Sequence, residues 1–571
     1  MKTKGLFLAA VMACLSILSM NAKSIYYVKV DGTGDGTSWS NAAGNIQDMI
    51  DKAAAGDEVW VAAGIYIPTT QIDANDILSK TFLIKNGVNL YGGFAGNEAS
   101  IDDRAKSDMD GNGKVEAWEF TNETNLSGKL DGTTDVWTQT DFFGEAWRWT
   151  ISGSDSNCKT IVTCGAEVID ETIFDGFTIS DGYGNFGILT QGNTVIQNCI
   201  VAFNSAGISN IIGIVTNSHI YINAGRGVYN GTGTISNCTI EKNAIYYLGN
   251  GSYCNGGVYN SGGDIVNCII MNNQVIVCQQ KSTSTDMPWA YGGGIYNIGK
   301  IDKCFVMNNT VLCYNIATSA AYSSVAYMSA NANGGGICSG SGGVVSNCCV
   351  FNNKATAIKT SNLSGTTAYA IGGGIAGGTI YNSTMANNMC NNSANDDSNG
   401  GTNCLSRFNL NSLNQIFVRP STFVGSTTNQ ELINNILNSD WRLKEGSQYI
   451  DAGSLDNLPD WVINGTDLAG NPRVHDGKIS RGAYEYDPSY TNIKKLPVNQ
   501  CIRVSPSPAT DFVTISGLQP NEMFYIYNIN GQQLLSRKAS GETEQIAVSH
   551  LPTGIYLLKT NDGQMIKWVK K

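Results

Sequence analysis

Charge is what this sequence has least of. Asp, Glu, Lys and Arg make up only 15% of its 571 residues, and the formal net charge is −11. An acidic, lysine-poor chain does not suit nucleic acid or an anionic membrane surface. The scarcity deepens in the middle of the chain. Between Tyr183 and Asn395 the only acids are Glu241, Asp264, Asp286 and Asp302, and the only arginine is Arg226. A glycosidase needs a close set of carboxylates. A polyuronate lyase needs calcium-holding acids and a base beside an anionic substrate. That stretch supplies neither set. Histidine is confined to His219, His475 and His550, and each reads as structural. Beyond the N-terminus no run approaches the roughly 18 apolar residues of a membrane-spanning helix. The repeated "GGG" stretches have no P-loop lysine or following helix, which excludes phosphate loops.

The N-terminus itself is informative. Lys2 and Lys4 precede an apolar run and then small residues, the pattern of an export signal cleaved near Ala22. Met12 and Ala13 make a poor lipobox before Cys14, and apolar sequence continues past it. Sixteen cysteines in an exported chain suggest disulfides. Their positions point elsewhere.

Glycine is plentiful, at 65 residues, and it recurs in a fixed context. The segments GNTVIQNCIVAFN (192–204), GIVTNSHIYIN (213–223), GTISNCTIEKN (233–243), GDIVNCIIMNN (263–273), GKIDKCFVMNN (299–309), GVVSNCCVFNN (343–353) and GTIYNSTMANN (378–388) align on Cys or Ser at steps of 19, 20, 30, 36, 44 and 35 residues. Each unit holds two short alternating runs broken by Gly or Asn, with no helical pattern between them. Short strands repeating in one sense without a crossover helix coil into a solenoid of stacked parallel strands. Equivalent residues then lie about 4.8 Å apart in neighbouring coils. Cys199, Cys238, Cys268, Cys304 and Cys348, with Ser218 and Ser383, are expected to form one interior column. Parallel in-register cysteines miss the disulfide torsion, so free thiols are expected there. Asn198, Asn217, Asn237, Asn267, Asn347 and Asn382 are expected to form an amide ladder. Asn204, Asn223, Asn243, Asn273, Asn309, Asn353 and Asn388 are expected at left-handed turns.

This repeat resembles the right-handed parallel β-helix of the pectate-lyase-like superfamily, in its exported choice-of-anchor or polymorphic outer-membrane-like branch. Residues 25–66 resemble that family's opening, with a short helix through Ile46, Met49, Ile50 and Ala53, capped by Asn45, that plugs the first coil. Residues 89–98 and 449–488 resemble its next coil and its closing segment. After Pro488 the pattern changes to six or seven short alternating strands with turns at Asn530-Gly531 and Asp562-Gly563, as in a small immunoglobulin-like sandwich. Pro506, Pro508, LPTGIYLLK (551–559) and the basic end Lys567, Lys570 and Lys571 resemble a type IX secretion sorting domain. The resemblances imply an all-β chain: signal peptide 1–23, N-terminal cap and first coils 24–150, β-helix repeats 151–425, closing segment 426–490 and sorting domain 491–571. They imply the type IX machinery as a partner and a secreted or outer-membrane location in a Gram-negative bacterium.

Two candidate sites stand out. DMDGNGKVEAWE (108–119) meets the twelve-residue calcium-loop template: Asp108, Asp110 and Asn112 offer oxygens, Gly113 turns the chain, and Lys114 gives its carbonyl. Glu116 acts directly or through water, Val115 packs inward, and Glu119 closes bidentately. Hard oxygens suit Ca²⁺, in a structural role. Second, insertions at one corner of successive units are expected to emerge as loops on one side. They carry Tyr246, Tyr247, Tyr253, Trp289, Tyr291, Tyr322, Tyr327 and Tyr369, an uncharged aromatic surface suited to sugar rings or a protein. These features favour a non-catalytic adhesin or glycan-binding protein. The alternative is a polysaccharide lyase or hydrolase with its acids in the 100–180 region or the closing segment. Acids clustered with Arg or Lys in a groove would favour the enzyme.

Overall fold

The computed structural model describes residues 23–133, 135–142, 144, 146–248, 252–254, 256–279, 288–315, 330–359, 368–392, 413–418, 441–488, 503–505, 509–516, 518, 523–528, 533–560 and 565–571. The export signal with Cys14, Tyr322, Tyr327, Pro506, Pro508 and the two tail turns lie outside these residues, as does the side chain of Tyr253. The chain forms two compact units, 1–486 and 487–571.

In the first unit each coil gives one short strand to each of three sheets. Sheet A has eleven described strands from Ile25–Val28 to Thr379–Tyr381, sheet B eleven from Gly64–Tyr66 to Ile416–Val418, and sheet C ten from Thr70–Gln71 to Ile375–Ala376. All pair in parallel except Thr70–Gln71. Crossovers of this kind are right-handed, and the unit is a right-handed parallel β-helix. Register explains the residue choice. Val215, Ile235, Ile265, Ile301, Val345 and Ile380 stack in sheet A. Ile220, Ile240, Ile270, Val306 and Val350 stack in sheet B. All are fully buried. β-Branched side chains have few rotamers, so identical ones pile up without voids.

The corners reverse the expectation for the two asparagine columns. Asn198, Asn217, Asn237, Asn267, Asn347 and Asn382 themselves adopt the left-handed conformation, with φ between 42° and 53°. Among their side chains only Asn267 and Asn237 join, at 2.7 Å. The continuous ladder is the other column. Asn204, Asn223, Asn243, Asn273, Asn309, Asn353 and Asn388 are buried, and each amide donates to the next carbonyl oxygen at 2.8–3.2 Å. The left-handed position falls one residue earlier, at Phe203, Ile222, Lys242, Asn272, Asn308, Asn352 and Asn387. Turning there frees the following amide to point inward, where an unbonded polar group would be costly. Asn210, Asn230, Asn260 and Asn297 form a further ladder at 2.9–3.0 Å.

The cysteine column is buried and its thiols are free. Each Sγ donates to the carbonyl two residues before it, as in Cys304 to Asp302 at 3.3 Å. Cys304 and Cys348 also accept a backbone N–H from the preceding coil, from Cys268 at 3.5 Å and from Cys304 at 3.4 Å. Ser218 and Ser383 make the same bonds, which is why serine substitutes there. Burial pushes the Cys199 thiol up to about 12. Cys158 and Cys164 are free as well.

The insertions are not separate loops where the chain is described. Ala244–Leu248, Gln274–Gln279, Thr310–Asn315, Lys354–Lys359 and Met389–Asn392 form a five-stranded parallel sheet, and Ser252–Cys254, Trp289–Tyr291, Ala330–Asn333 and Ala368–Ile371 a four-stranded one. They leave the coil between sheets B and C as a wing. Its core is thin, built from Val275, Val277, Ala290, Val311, Cys313, Ala330, Ala332, Ala355, Ala357, Ala368 and Ala370. Small side chains let the two layers approach closely.

Both ends of the solenoid are covered. At the start Asn45 caps helix Ile46–Lys52 by accepting from Gln47 and Asp48, and Ile46, Met49 and Ile50 enter the core. At the end Trp441 stacks on Phe351 at 4.8 Å, and buried Arg473 pairs with Glu485 at 3.0 Å. Such covers keep bare strand edges from pairing with other chains.

The second unit has a three-stranded and a four-stranded antiparallel sheet. Val513, Ile515, Phe524, Ile526, Leu558 and Trp568 form its core. Tyr556 stacks on Trp568 at 5.0 Å and donates its hydroxyl to the Pro552 carbonyl at 2.7 Å.

Candidate functional site

The second coil departs most from the repeat. Its A–B corner is replaced by residues 95–123, between strands Asn89–Phe94 and Thr124–Ser127. Its B–C corner carries an antiparallel hairpin, Val136–Phe142 with Ala146–Ser152. These insertions flank the outward face of sheet B, where a cavity of about 400 Å³ opens.

One wall is the 108–119 loop. Asp108 accepts backbone N–H groups of Gly111, Asn112 and Gly113 at 2.7–3.0 Å. Asp110 accepts from Asn112, and Asn112 from the Lys114 N–H. Buried Glu119 accepts from Met109 and Asp110 through one oxygen and from Glu116 through the other. One carboxylate oxygen each from Asp108, Asp110 and Glu119 lies within 4.8 Å of the other two. Asn112 Nδ2 reaches Glu116 at 3.1 Å, while the second Glu116 oxygen is shielded with no partner. Burial and the neighbouring Glu119 raise the Glu116 carboxyl. Burial acts on Glu119 in the same sense, but the N–H groups around it outweigh this and hold it below the usual range. Converging carboxylates with an unmet oxygen fit a hard cation. Val115 breaks the expected pattern, being 56% exposed rather than packed inward.

The floor comes from the regular coils. In a strand, residues two apart share a face, and His219 and Tyr221 both face out, stacked at 4.4 Å. His219 Nε2 lies 3.1 Å from Glu241, one coil on, and 5.4 Å (ring centres) from Trp118 of the loop. His219 is therefore part of the cavity floor and not a packed structural residue. Burial would raise the Glu241 carboxyl, but the His219 contact and the Lys242 charge outweigh it and hold it below its ordinary value. Burial, then Glu123 and Glu241, raise the Tyr221 phenol. Glu123, Ile200 and Lys242 also line the cavity.

The hairpin lies beyond the cavity lining and packs on the neighbouring coils. Trp149 donates its indole N–H to the Lys242 carbonyl at 2.8 Å, Trp137 meets Phe203 edge-on at 5.5 Å, and the Trp147 N–H reaches Gln274 of the wing at 2.8 Å. Arg148 lies over Tyr246 at 4.0 Å, fastening hairpin to wing.

Sequence reasoning located the loop but not the cavity. Glu123, Phe203, Tyr221 and the hairpin tryptophans went unnamed. The readable signal was the alternation in "SHIYIN" and "AWRWTIS", which places rings on one face. The wing residues lie elsewhere. Trp289 and Tyr291 are half-buried and stacked at 5.8 Å, and Tyr291 meets Tyr296 edge-on at 6.1 Å. Tyr369 is 42% exposed, on the same face as Trp289 by register through Asn331. Tyr296 continues into a ladder with Tyr259 and Tyr229 at 5.3 and 5.2 Å, signalled by the repeated G-V/I-Y-N.

Comparison with known proteins bears first on the tail. Residues 503–571 match the secretion system C-terminal sorting domain. The protein is thus secreted or displayed at the cell surface. No curated protein matches the chain. Among solved structures it is similar to pectate lyase Pel9A, at 14% identity over 82% of this chain and 98% of that one, TM-score 0.35. It is also similar to XylC, solved in complex with xylose, at 11% identity over 92% and 100%, TM-score 0.32. These figures describe a general likeness and assign no chemistry. Among the described residues no helix is long and apolar enough to cross a membrane.

Proposed function

We propose that this exported β-helix binds carbohydrate in the cleft between the 108–119 loop and the coil face, as a surface adhesin or glycan-binding protein. The observation that carries the reading is the meeting of Trp118, His219 and Tyr221 around a cavity that also holds Glu123 and Glu241. Sugar rings offer apolar C–H faces to aromatic rings and hydroxyls to carboxylates, and this lining supplies both. The loop holds Ca²⁺ through Asp108, Asp110, Asn112, Glu116 and Glu119 with the Lys114 carbonyl, and so keeps Trp118 and Glu119 in the wall. Trp289, Tyr291 and Tyr369 give the wing a second, flatter contact surface for the same class of ligand.

A second reading, polysaccharide hydrolysis or elimination in this cleft, rests on Glu123 and Glu241 sharing it with His219 and Lys242. One experiment separates the two. The mature protein is screened on a glycan panel while released reducing ends and unsaturated products are assayed. Binding without products is expected, and Trp118→Ala should weaken it at least about tenfold with the circular dichroism unchanged. Products that vanish in Glu241→Gln would replace the binding reading with the enzymatic one. A panel with no hit would remove both.

A further inference from the structure

We propose that the cleft receives an extended, uncharged polysaccharide chain that runs beyond the cavity along an aromatic track to the 136–152 hairpin. The inference rests on the saccharide reading of the cavity and adds the form and charge of the ligand. Its ground is a chain of ring contacts that no repeat requires. Trp118, His219 and Tyr221 line the cavity. Tyr221 meets Phe203 edge-on at 5.9 Å, Phe203 meets Trp137 at 5.5 Å, and Trp137 meets Trp149 at 6.4 Å. The six rings come from four parts of the sequence, namely the loop, two successive coils and the hairpin. All six are half-buried, so each keeps part of its surface for a ligand.

The hairpin is fixed for this purpose at its far side, where Phe142 packs on Tyr246 at 5.4 Å. A rigid row of rings suits a polymer, because stacking adds along the chain without ordering new protein segments. Charge selects which polymer. With the loop's carboxylates engaged by its cation, Glu123 and Glu241 remain as acids of the lining, against the single cationic side chain Lys242 among its described lining. Uronate chains are repelled there, whereas hydroxyl groups gain acceptors.

The test titrates the full mature chain with neutral gluco-, xylo-, galacto- and manno-oligosaccharides, from mono- to hexasaccharide, by tryptophan fluorescence. Oligogalacturonates serve as the charged series. For at least one neutral series affinity should rise about tenfold or more with length, equivalent to roughly 1.4 kcal/mol. Trp137→Ala and Trp149→Ala should flatten that rise and leave the shortest bound member unchanged. Short ligands that bind with no gain from length in the wild type would overturn the track and leave the cavity reading standing. Preference for the galacturonates would overturn the charge argument. Failure of every series would remove the cavity reading together with this one. The wild-type length series needs no variant, so a misfolded substitution does not blunt the test.

Discussion

The coils up to Phe177 and those from Thr178 onward obey different rules. The later coils repeat one pattern of β-branched cores, free thiols and buried amides, almost without charge. The earlier ones break the pattern twice in one turn and bring in Asp108, Asp110, Glu116, Glu119, Glu123 and the hairpin tryptophans. The regular coils still contribute to the cleft, but only as floor, through His219, Tyr221 and Glu241. The repeat provides a rigid surface, and departures from it provide the chemistry.

That division can be broken by measurement. The largest effect is expected inside the regular coils, at Asn273→Ala. This removes the side-chain bonds to Asn309 and the Ile240 carbonyl and takes one acceptor each from the Asn243 amide and the Asn243 N–H, all in the buried interior. It should destabilise the protein by about 3 kcal/mol in urea unfolding. Asn237→Ala, at the exposed left-handed corner, should cost about 1 kcal/mol. Equal losses would erase the distinction between the columns.

In the early coils, millimolar calcium should raise the unfolding temperature of the wild type and leave Glu119→Gln unmoved. Calcium at ten times the dissociation constant would contribute about 1.4 kcal/mol. An identical shift in both proteins would detach the loop from calcium.

The same loop should be sensitive to acid. The folded-state carboxyl of Glu119 lies below the ordinary value, so its contribution is complete above the ordinary glutamate range and is lost as pH falls through the lowered value. Hydrogen-exchange protection in residues 105–122, followed from pH 6 to about pH 3, should hold above the ordinary glutamate range and fall progressively from there until pH passes below the lowered value. Protection that does not change across that window would mean the N–H bonds to Glu119 confer nothing. The smallest effect is expected at Cys304→Ser, within about 1 kcal/mol, because Ser218 and Ser383 already occupy that column. Cys304→Leu should cost about 1–3 kcal/mol by overpacking.

How much of this could be read in advance follows the same boundary. Spacing of Cys and Asn revealed the coil and its interior thiols, since in-register stacking projects three-dimensional columns directly onto sequence. The capped start was legible through the resemblance of residues 25–66 and their short amphipathic helix. The assignment of ladder and turn was exchanged because both columns are asparagine, and composition does not say which amide points inward. The wing read as loops because its strands alternate small residues such as Ala355 and Ala357, which carry little hydrophobic signal. The cleft was illegible because Trp118 meets His219, and Trp137 meets Phe203, only after coils separated by many residues are stacked. The calcium-type loop, by contrast, is local and could be read whole, apart from the outward turn of Val115.

The unpaired thiols give five of the coils a reporter each. Cys199, Cys238, Cys268, Cys304 and Cys348 are shielded from alkylation only while the turns on either side remain docked. Mass spectrometry after brief iodoacetamide pulses in rising denaturant would therefore read out unravelling coil by coil, and would show from which end the solenoid opens.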